Sequence, residues 1–208
     1  MPRWAIPEPL ATGYAMREPS SARITVTRLP DGRRRRVIEH APLPGVRPHM
    51  MVWFLRSIDR TDLAWRGHRC LAYRFWHPRD HIHFRILGEP GPGCRFHIVE
   101  AFQANPRYLM DLVFDVPELD ETGFRMEVRR MGTVVVGIRE DFRDSPQGML
   151  YTVTVTEGTT APLLGALVNP LQLRFAEEKL DAWHRHNVEE VGNLPLFLPE
   201  LYDAYGRR

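Results

Sequence analysis

The stretch Pro170-Leu-Gln-Leu-Arg-Phe-Ala-Glu-Glu-Lys-Leu-Asp-Ala-Trp-His-Arg-His-Asn-Val-Glu-Glu-Val-Gly-Asn193 changes the period of the sequence. Leu173, Ala176, Leu180, Trp183 and Val191 fall on or near one stripe at helical spacing, and Gly192-Asn193 ahead of Pro195 predicts the helix end there. The residues before it follow a different rule. His81 to Leu87, Cys94 to Phe102, Tyr108 to Val116, Gly123 to Arg130, Thr133 to Asp141 and Gly148 to Glu157 each read as a strand. Turn-rich breaks such as Gly88-Glu-Pro-Gly-Pro-Gly93 and Asp144-Ser-Pro-Gln-Gly148 separate them. Connections this short favour antiparallel neighbours, since parallel strands need long crossovers. A curved antiparallel sheet followed by one long C-terminal helix is a helix-grip arrangement, of the α+β class.

Further toward the N-terminus, Ile24 to Leu29 alternates at period two and Arg36 to His40 follows the Asp31-Gly32 turn, which predicts a hairpin. The run Arg33 to Arg36 reads as its solvated tip. Residues 1–22, with Pro2, Pro7, Pro9 and Pro19, read as an irregular arm that wraps the domain or a partner subunit, which includes the prospect of a homodimer. Residues 23–208 read as one catalytic domain. Met50 to Ser57 is a short apolar segment, and Trp65 to Trp76 reads as helix and loop.

A chain of 208 residues with 43% hydrophobic side chains can bury a substantial core in one domain. Its 28 basic and 26 acidic side chains leave a net charge of +2, too balanced for a nucleic-acid surface. No apolar stretch approaches a membrane span, so a soluble protein is predicted with no membrane partner. Cys70 and Cys94 lack the close spacing of a thiolate zinc site, and the N-terminus lacks the order of a secretion signal. A reducing, cytoplasmic setting is the expectation.

Three segments carry chemistry: His77-Pro-Arg-Asp-His81, Phe96-His-Ile-Val-Glu100 and His186-Asn-Val-Glu-Glu190. His186 and Glu190 are four apart in a helical stretch and so project from one face, while Glu177, Glu178 and Glu189 are placed toward solvent. An exposed intrahelical contact is the plain alternative for that pair. Glu100 shares a strand face with Phe96, Ile98 and Phe102, where a carboxylate must be paired, protonated or metal-bound. Arg85 and Arg125 are the candidate ion-pair partners. His81 is the preferred fourth ligand; His83, two residues on, would share its face if the strand has begun, and His77 reads as a loop buttress. Asp80 could orient a ligand imidazole from behind or cap the loop. Two imidazoles and two carboxylates suit Zn²⁺, and also Mn²⁺ or Fe²⁺.

Met50-Met-Val-Trp53-Phe54, Tyr73-Arg-Phe-Trp76-His77-Pro-Arg-Asp80-His81, His97-Ile-Val-Glu100 and His186-Asn-Val-Glu-Glu190, in that order, resemble the diacetylphloroglucinol hydrolase and phloretin hydrolase family. The resemblance runs from about Met50 to Asn193. It implies a helix-grip fold shared with birch-pollen allergen and START proteins. It also implies a zinc-dependent hydrolase that cleaves the carbon–carbon bond between an acyl group and a polyphenol or related diketone-like ring. Zinc would be held by His81, Glu100, His186 and Glu190. Tyr73 would hydrogen-bond a phenolic hydroxyl, and turnover would depend on Tyr73 and Glu190. The chain departs from the family in having no histidine between His97 and His184, which leaves Tyr151 or His83 to move the proton.

The expected partner is a small aromatic or polyketide-like substrate, in a pocket with Trp53, Tyr73, Trp76, His83, Phe102, Tyr151 and Trp183 as candidate walls. Two other readings of the same residues are a metal-dependent cyclase, isomerase or decarboxylase, and a metal-free carrier of apolar ligands.

Overall fold

Period-two alternation becomes eight strands of one antiparallel sheet, in the spatial order Ala22–Arg28, Arg34–His40, Leu150–Glu157, Thr133–Arg143, Gly123–Arg130, Leu109–Asp120, Arg95–Ala101 and His81–Leu87. The computed structural model describes residues 4–161, 165 and 177–207. The N-terminal hairpin is β1 (Ala22–Arg28) and β2 (Arg34–His40), and a helix α1 (Pro48–Ser57) follows. A two-residue ladder, β3 (Ala64–Trp65) with β4 (His68–Arg69), and a single turn of helix, α2 (Tyr73–Trp76), lead into the sheet proper. Its strands are β5 (His81–Leu87), β6 (Arg95–Ala101), β7 (Leu109–Asp120), β8 (Gly123–Arg130), β9 (Thr133–Arg143) and β10 (Leu150–Glu157). Helix α3 (Glu177–Tyr205) lies against the inner face. This is the helix-grip fold. Leu173 and Ala176, assigned to the helical stripe, lie outside the described residues.

Cross-strand register sorts the inner face into rows, because side chains opposite each other in an antiparallel pair share a face. One row runs Ile38, Val153, Glu140 and Phe124 across β2, β10, β9 and β8. The next runs Arg36, Val155, Ile138 and Met126. Phe84, Phe96, Phe114 and Phe124 are all buried, each stabilising the fold by about 1.5–3 kcal/mol over an exposed ring.

Two expectations are corrected. The helix does not end at Gly192-Asn193 but continues through Pro195 and Pro199 to Tyr205. Val191, Leu194, Leu198 and Leu201 extend its apolar stripe into the core, and that burial outweighs the hydrogen bonds the two prolines remove. Gly192 instead admits the N-terminal arm, since a Cβ there would meet Arg17 Cδ at 2.6 Å. Of the two placements expected for the arm, the structure shows it along its own domain: Leu10 N–H donates to Pro78 O at 3.1 Å and the Tyr14 hydroxyl to Phe75 O at 3.0 Å. The second correction is that the arginine run is not all solvated tip, because the strand phase turns Arg36 inward, where it is 2% exposed. Cys70 and Cys94 are free thiols. Among the described residues no helix is long and apolar enough to cross a membrane.

Candidate metal centre

His81 and Glu100 are cross-strand partners at the start of β5 and the end of β6. The register shifts between His81 and His83, and this bulge breaks the alternation that would have kept the two histidines on one face. His81 is fully buried on the inner side, whereas His83 stacks on Trp4 at 4.8 Å beside His97. Its candidate pocket role is therefore corrected. On α3, His186 and Glu190 face the same point from successive turns. One ligand atom from each of His81, Glu100, His186 and Glu190 lies within 4.8 Å of the others, and all four residues are buried.

The tautomers can be read from what stands behind each ring. His81 Nδ1 lies 2.8 Å from Tyr73 O, a pure acceptor, so Nδ1 carries the proton. His186 Nδ1 lies 3.0 Å from Asp80 Oδ2, with the same consequence. Both Nε2 lone pairs then point at the centre, and neither atom has a hydrogen-bond partner. His81 Nε2 is 3.5 Å from Glu100 and 3.4 Å from Glu190. His186 Nε2 is 3.8 Å from Glu100 and 3.7 Å from Glu190. A tetrahedron with bonds of 2.0–2.1 Å has edges of about 3.3–3.4 Å, so the four donors stand close to the spacing a cation of that size requires. Two buried imidazole lone pairs facing two buried carboxylates could hold a divalent cation.

The electrostatics agree. Burial pushes the Glu190 carboxyl well above its ordinary range, and Glu100 and Glu140 add to this. Burial likewise raises Glu100. Burial alone would lower His186, but Glu100 and Glu190 with the Asp80 hydrogen bond carry it up to about 9. In a metal-free chain a proton on His186 takes the cation's place.

Asp80 holds the centre from behind. Its Oδ2 accepts from His186 Nδ1 and from Gln103 N–H at 2.9 Å. Its Oδ1 accepts from Ala104 N–H at 3.1 Å and Arg79 Nε at 2.7 Å. Although burial opposes it, these donors and nearby His77 keep the carboxyl ionised well below the usual range. One carboxylate thus ties His186 to the left-handed turn at Gln103 and Ala104, with φ of 59° and 52°, just after Glu100. Asp80→Asn would turn an amide donor toward two of these four donors, and it is expected to weaken metal binding about 10–100-fold. A chelator competition measures this, and an unchanged affinity would mean that Asp80 does not position His186.

Neighbouring expectations fared unevenly. His77 does buttress: its Nδ1 accepts from Asp80 N–H at 3.1 Å and its Nε2 donates to Glu189 at 3.2 Å. Glu189, placed toward solvent, is 1% exposed and also meets Arg79 and Arg185. This stretch of α3 is covered by the His77–Asp80 loop and the arm as well as the sheet, so no solvent face remains. Arg85 and Arg125 do not pair with Glu100, which instead accepts a hydrogen bond from the Tyr73 hydroxyl.

Glu100, His186 and Glu190 line a pocket of about 70 Å³ whose other walls include Tyr73, Trp76, Trp183 and apolar side chains of the sheet. Trp53 is not among its walls and packs edge-to-face on Tyr202 at 5.5 Å. It is two residues off the Met51 and Leu55 direction, which is the buried side of α1. Phe102 lies against the His186 ring at 4.9 Å and lines an adjoining cavity. Tyr151 stands behind the wall and donates its hydroxyl hydrogen bond to Glu140.

Glu140 and Asn187 were missed. Glu140 lines the pocket, and burial pushes its carboxyl up to about 8 against the opposing Tyr151 hydrogen bond. The alternation argument used for Glu100 would have found it, since Ile138 and Phe142 share its phase on β9. Asn187 donates to Glu190 Oε1 at 3.0 Å and its Oδ1 lies 3.2 Å from His40 Nε2. No periodicity marks it.

No protein-family model matches the sequence, and no curated protein does. Among solved structures, the chain is similar to Ara h 8.0201 at 14% identity and a TM-score of 0.41, over 77% of this chain and 98% of that one. Protein NE0264 from Nitrosomonas europaea gives 14% and 0.44 over 84% and 97% of the two chains. Protein Ms6760 from Mycobacterium smegmatis gives 12% and 0.45 over 81% and 96%. These are likenesses of chain path and say nothing of chemistry.

Proposed function

We propose that this protein is a zinc-dependent hydrolase that cleaves the carbon–carbon bond between an acyl group and a polyphenol or related diketone-like ring. The observation that carries the reading is the pair of unpartnered Nε2 lone pairs, on His81 and His186, facing Glu100 and Glu190 beside an aromatic-walled pocket. The motif resemblance supplies the reaction type. His81, Glu100, His186 and Glu190 would hold the ion, which when bound acts as a Lewis acid and makes water acidic enough to serve as a nucleophile near neutral pH.

The chain's own groups then have distinct tasks. The Tyr73 hydroxyl, hydrogen-bonded to Glu100, is the donor nearest the centre and can turn to a phenolic oxygen of the ring. Trp76 and Trp183 exclude bulk water and hold the ring by its faces. Cleavage adds hydroxide to the acyl carbon and a proton to the ring carbon, so that an aryl ketone and water give a carboxylic acid and the deacylated ring. Glu140 is the group suited to hold that proton, because it lines the pocket in the acid form while Tyr151 occupies its other oxygen. It fills the role for which the sequence offered only Tyr151 and His83.

Incubation of zinc-loaded protein with acylated polyphenols in ¹⁸O-labelled water tests the reading. One labelled oxygen in the released acid is expected. Turnover to products without solvent oxygen would instead assign the centre to a cyclase, isomerase or decarboxylase.

A further inference from the structure

Arg36 breaks the apolar phase of β2. It alternates with buried Ile38, stands across from Val155 and is 2% exposed. Its Nη1 meets Glu157 Oε2 at 2.9 Å. Its Nη2 is buried with no hydrogen-bond partner among the described residues. A buried guanidinium donor left without an acceptor is costly, and such a group in a native fold calls for a partner from outside the chain.

Arg36 opens onto a second cavity of about 180 Å³, larger than the 70 Å³ beside the metal centre. The two share Met110, Phe114, Ile138 and Trp183 as walls, so they lie side by side along the inner face of the sheet. Two elements give the same order along it. On β9 the lining passes from Glu140 through Ile138 to Val136, and on α3 from Glu190 through Trp183 to Lys179. Helical rise places Lys179 about 16 Å along the axis from Glu190. The far end is electropositive: its lining sets Arg36 and Lys179 against the carboxylate of Glu157, which Arg34 also meets. Between the two ends the second cavity is walled almost wholly by apolar side chains.

We infer that this second chamber binds the anionic head group of an amphipathic small molecule, a carboxylate or phosphate on an apolar chain, with Arg36 Nη2 as the recognition donor. The chain of the ligand runs past Trp183 toward the metal centre. Binding here is read without turnover, so the inference stands apart from the hydrolase reading and can fail or survive independently of it.

Calorimetric titration of the purified full chain with decanoate, decyl phosphate and 1-decanol tests it. At least one anion is expected to bind about ten- to a hundredfold more tightly than the alcohol, the range a hydrogen bond to a charged group supplies. The tighter of the two identifies the head group. Arg36→Leu leaves Glu157 paired with Arg34 and is expected to abolish the preference; Lys179→Met, at a half-buried position, is expected to reduce it a few-fold, in line with a nearby but unbonded charge. The inference is overturned if the alcohol binds as tightly as both anions, if no probe binds, or if Arg36→Leu keeps the full preference. Should Arg36→Leu not fold, undiminished preference in Lys179→Met overturns it.

Discussion

Glu190→Gln is expected to lower turnover at least about a thousandfold, because a neutral amide replaces one of the two carboxylates that would hold the cation and Lewis-acid stabilisation is worth several kcal/mol. The same substitution has a second signature. Burial pushes the Glu190 carboxyl well above its ordinary range in the metal-free chain, so at neutral pH folding must hold a proton that the unfolded chain releases, and removing the ionisable group removes that cost. The metal-free variant should therefore melt at a higher temperature than the metal-free parent. The parent should gain far more on zinc addition, since a ligand that binds only the folded state stabilises by mass action. Thermal melts with and without zinc measure both effects. Equal zinc-induced shifts in the two proteins would remove Glu190 from the metal centre.

Glu140→Gln separates the proton donor from the metal site. Gln keeps the shape and can still accept from the Tyr151 hydroxyl, but it cannot give up a proton. Turnover should fall about a hundred- to ten-thousandfold, the usual worth of a positioned acid, while zinc content stays unchanged. Stability should move the other way. With its folded pKa pushed up to about 8 by burial, Glu140 keeps a proton that the unfolded chain releases near its ordinary 4.5. Folding stability in the metal-free protein therefore falls as pH rises through that window and levels off above it. The variant lacks this loss. Its advantage should be absent at pH 4, grow with pH and reach on the order of a few kcal/mol above pH 8. Denaturant melts at several pH values check the trend, and a variant that is fully active or equally stable throughout would show that Glu140 is ordinary pocket wall.

The strands were legible because two local signals coincided: period-two alternation and Gly- or Pro-rich breaks. His81–Leu87, Gly123–Arg130 and the start of β9 at Thr133 fall where the sequence places them. The spacing of His186 and Glu190 was legible for the same reason, as helical geometry alone puts them on one face. What could not be read depends on tertiary packing. The helix runs past Pro195 because Phe197, Leu198 and Leu201 are buried beyond it. The bulge that separates His81 from His83 has no Gly to announce it. Glu189 is buried by a loop and an arm that are distant in sequence. Glu140 and Arg36 are a different case, since both sit in the apolar phase of a strand. The first stands between Ile138 and Phe142 in that phase, and the second is the last of four consecutive arginines.

The most direct test is elemental analysis of the purified protein beside its His186→Ala variant. About one divalent metal per chain, with zinc predominant, is predicted for the parent, and a large loss for the variant. No stoichiometric metal in the parent, even after the metal-free protein has been offered zinc, would contradict the account at its centre.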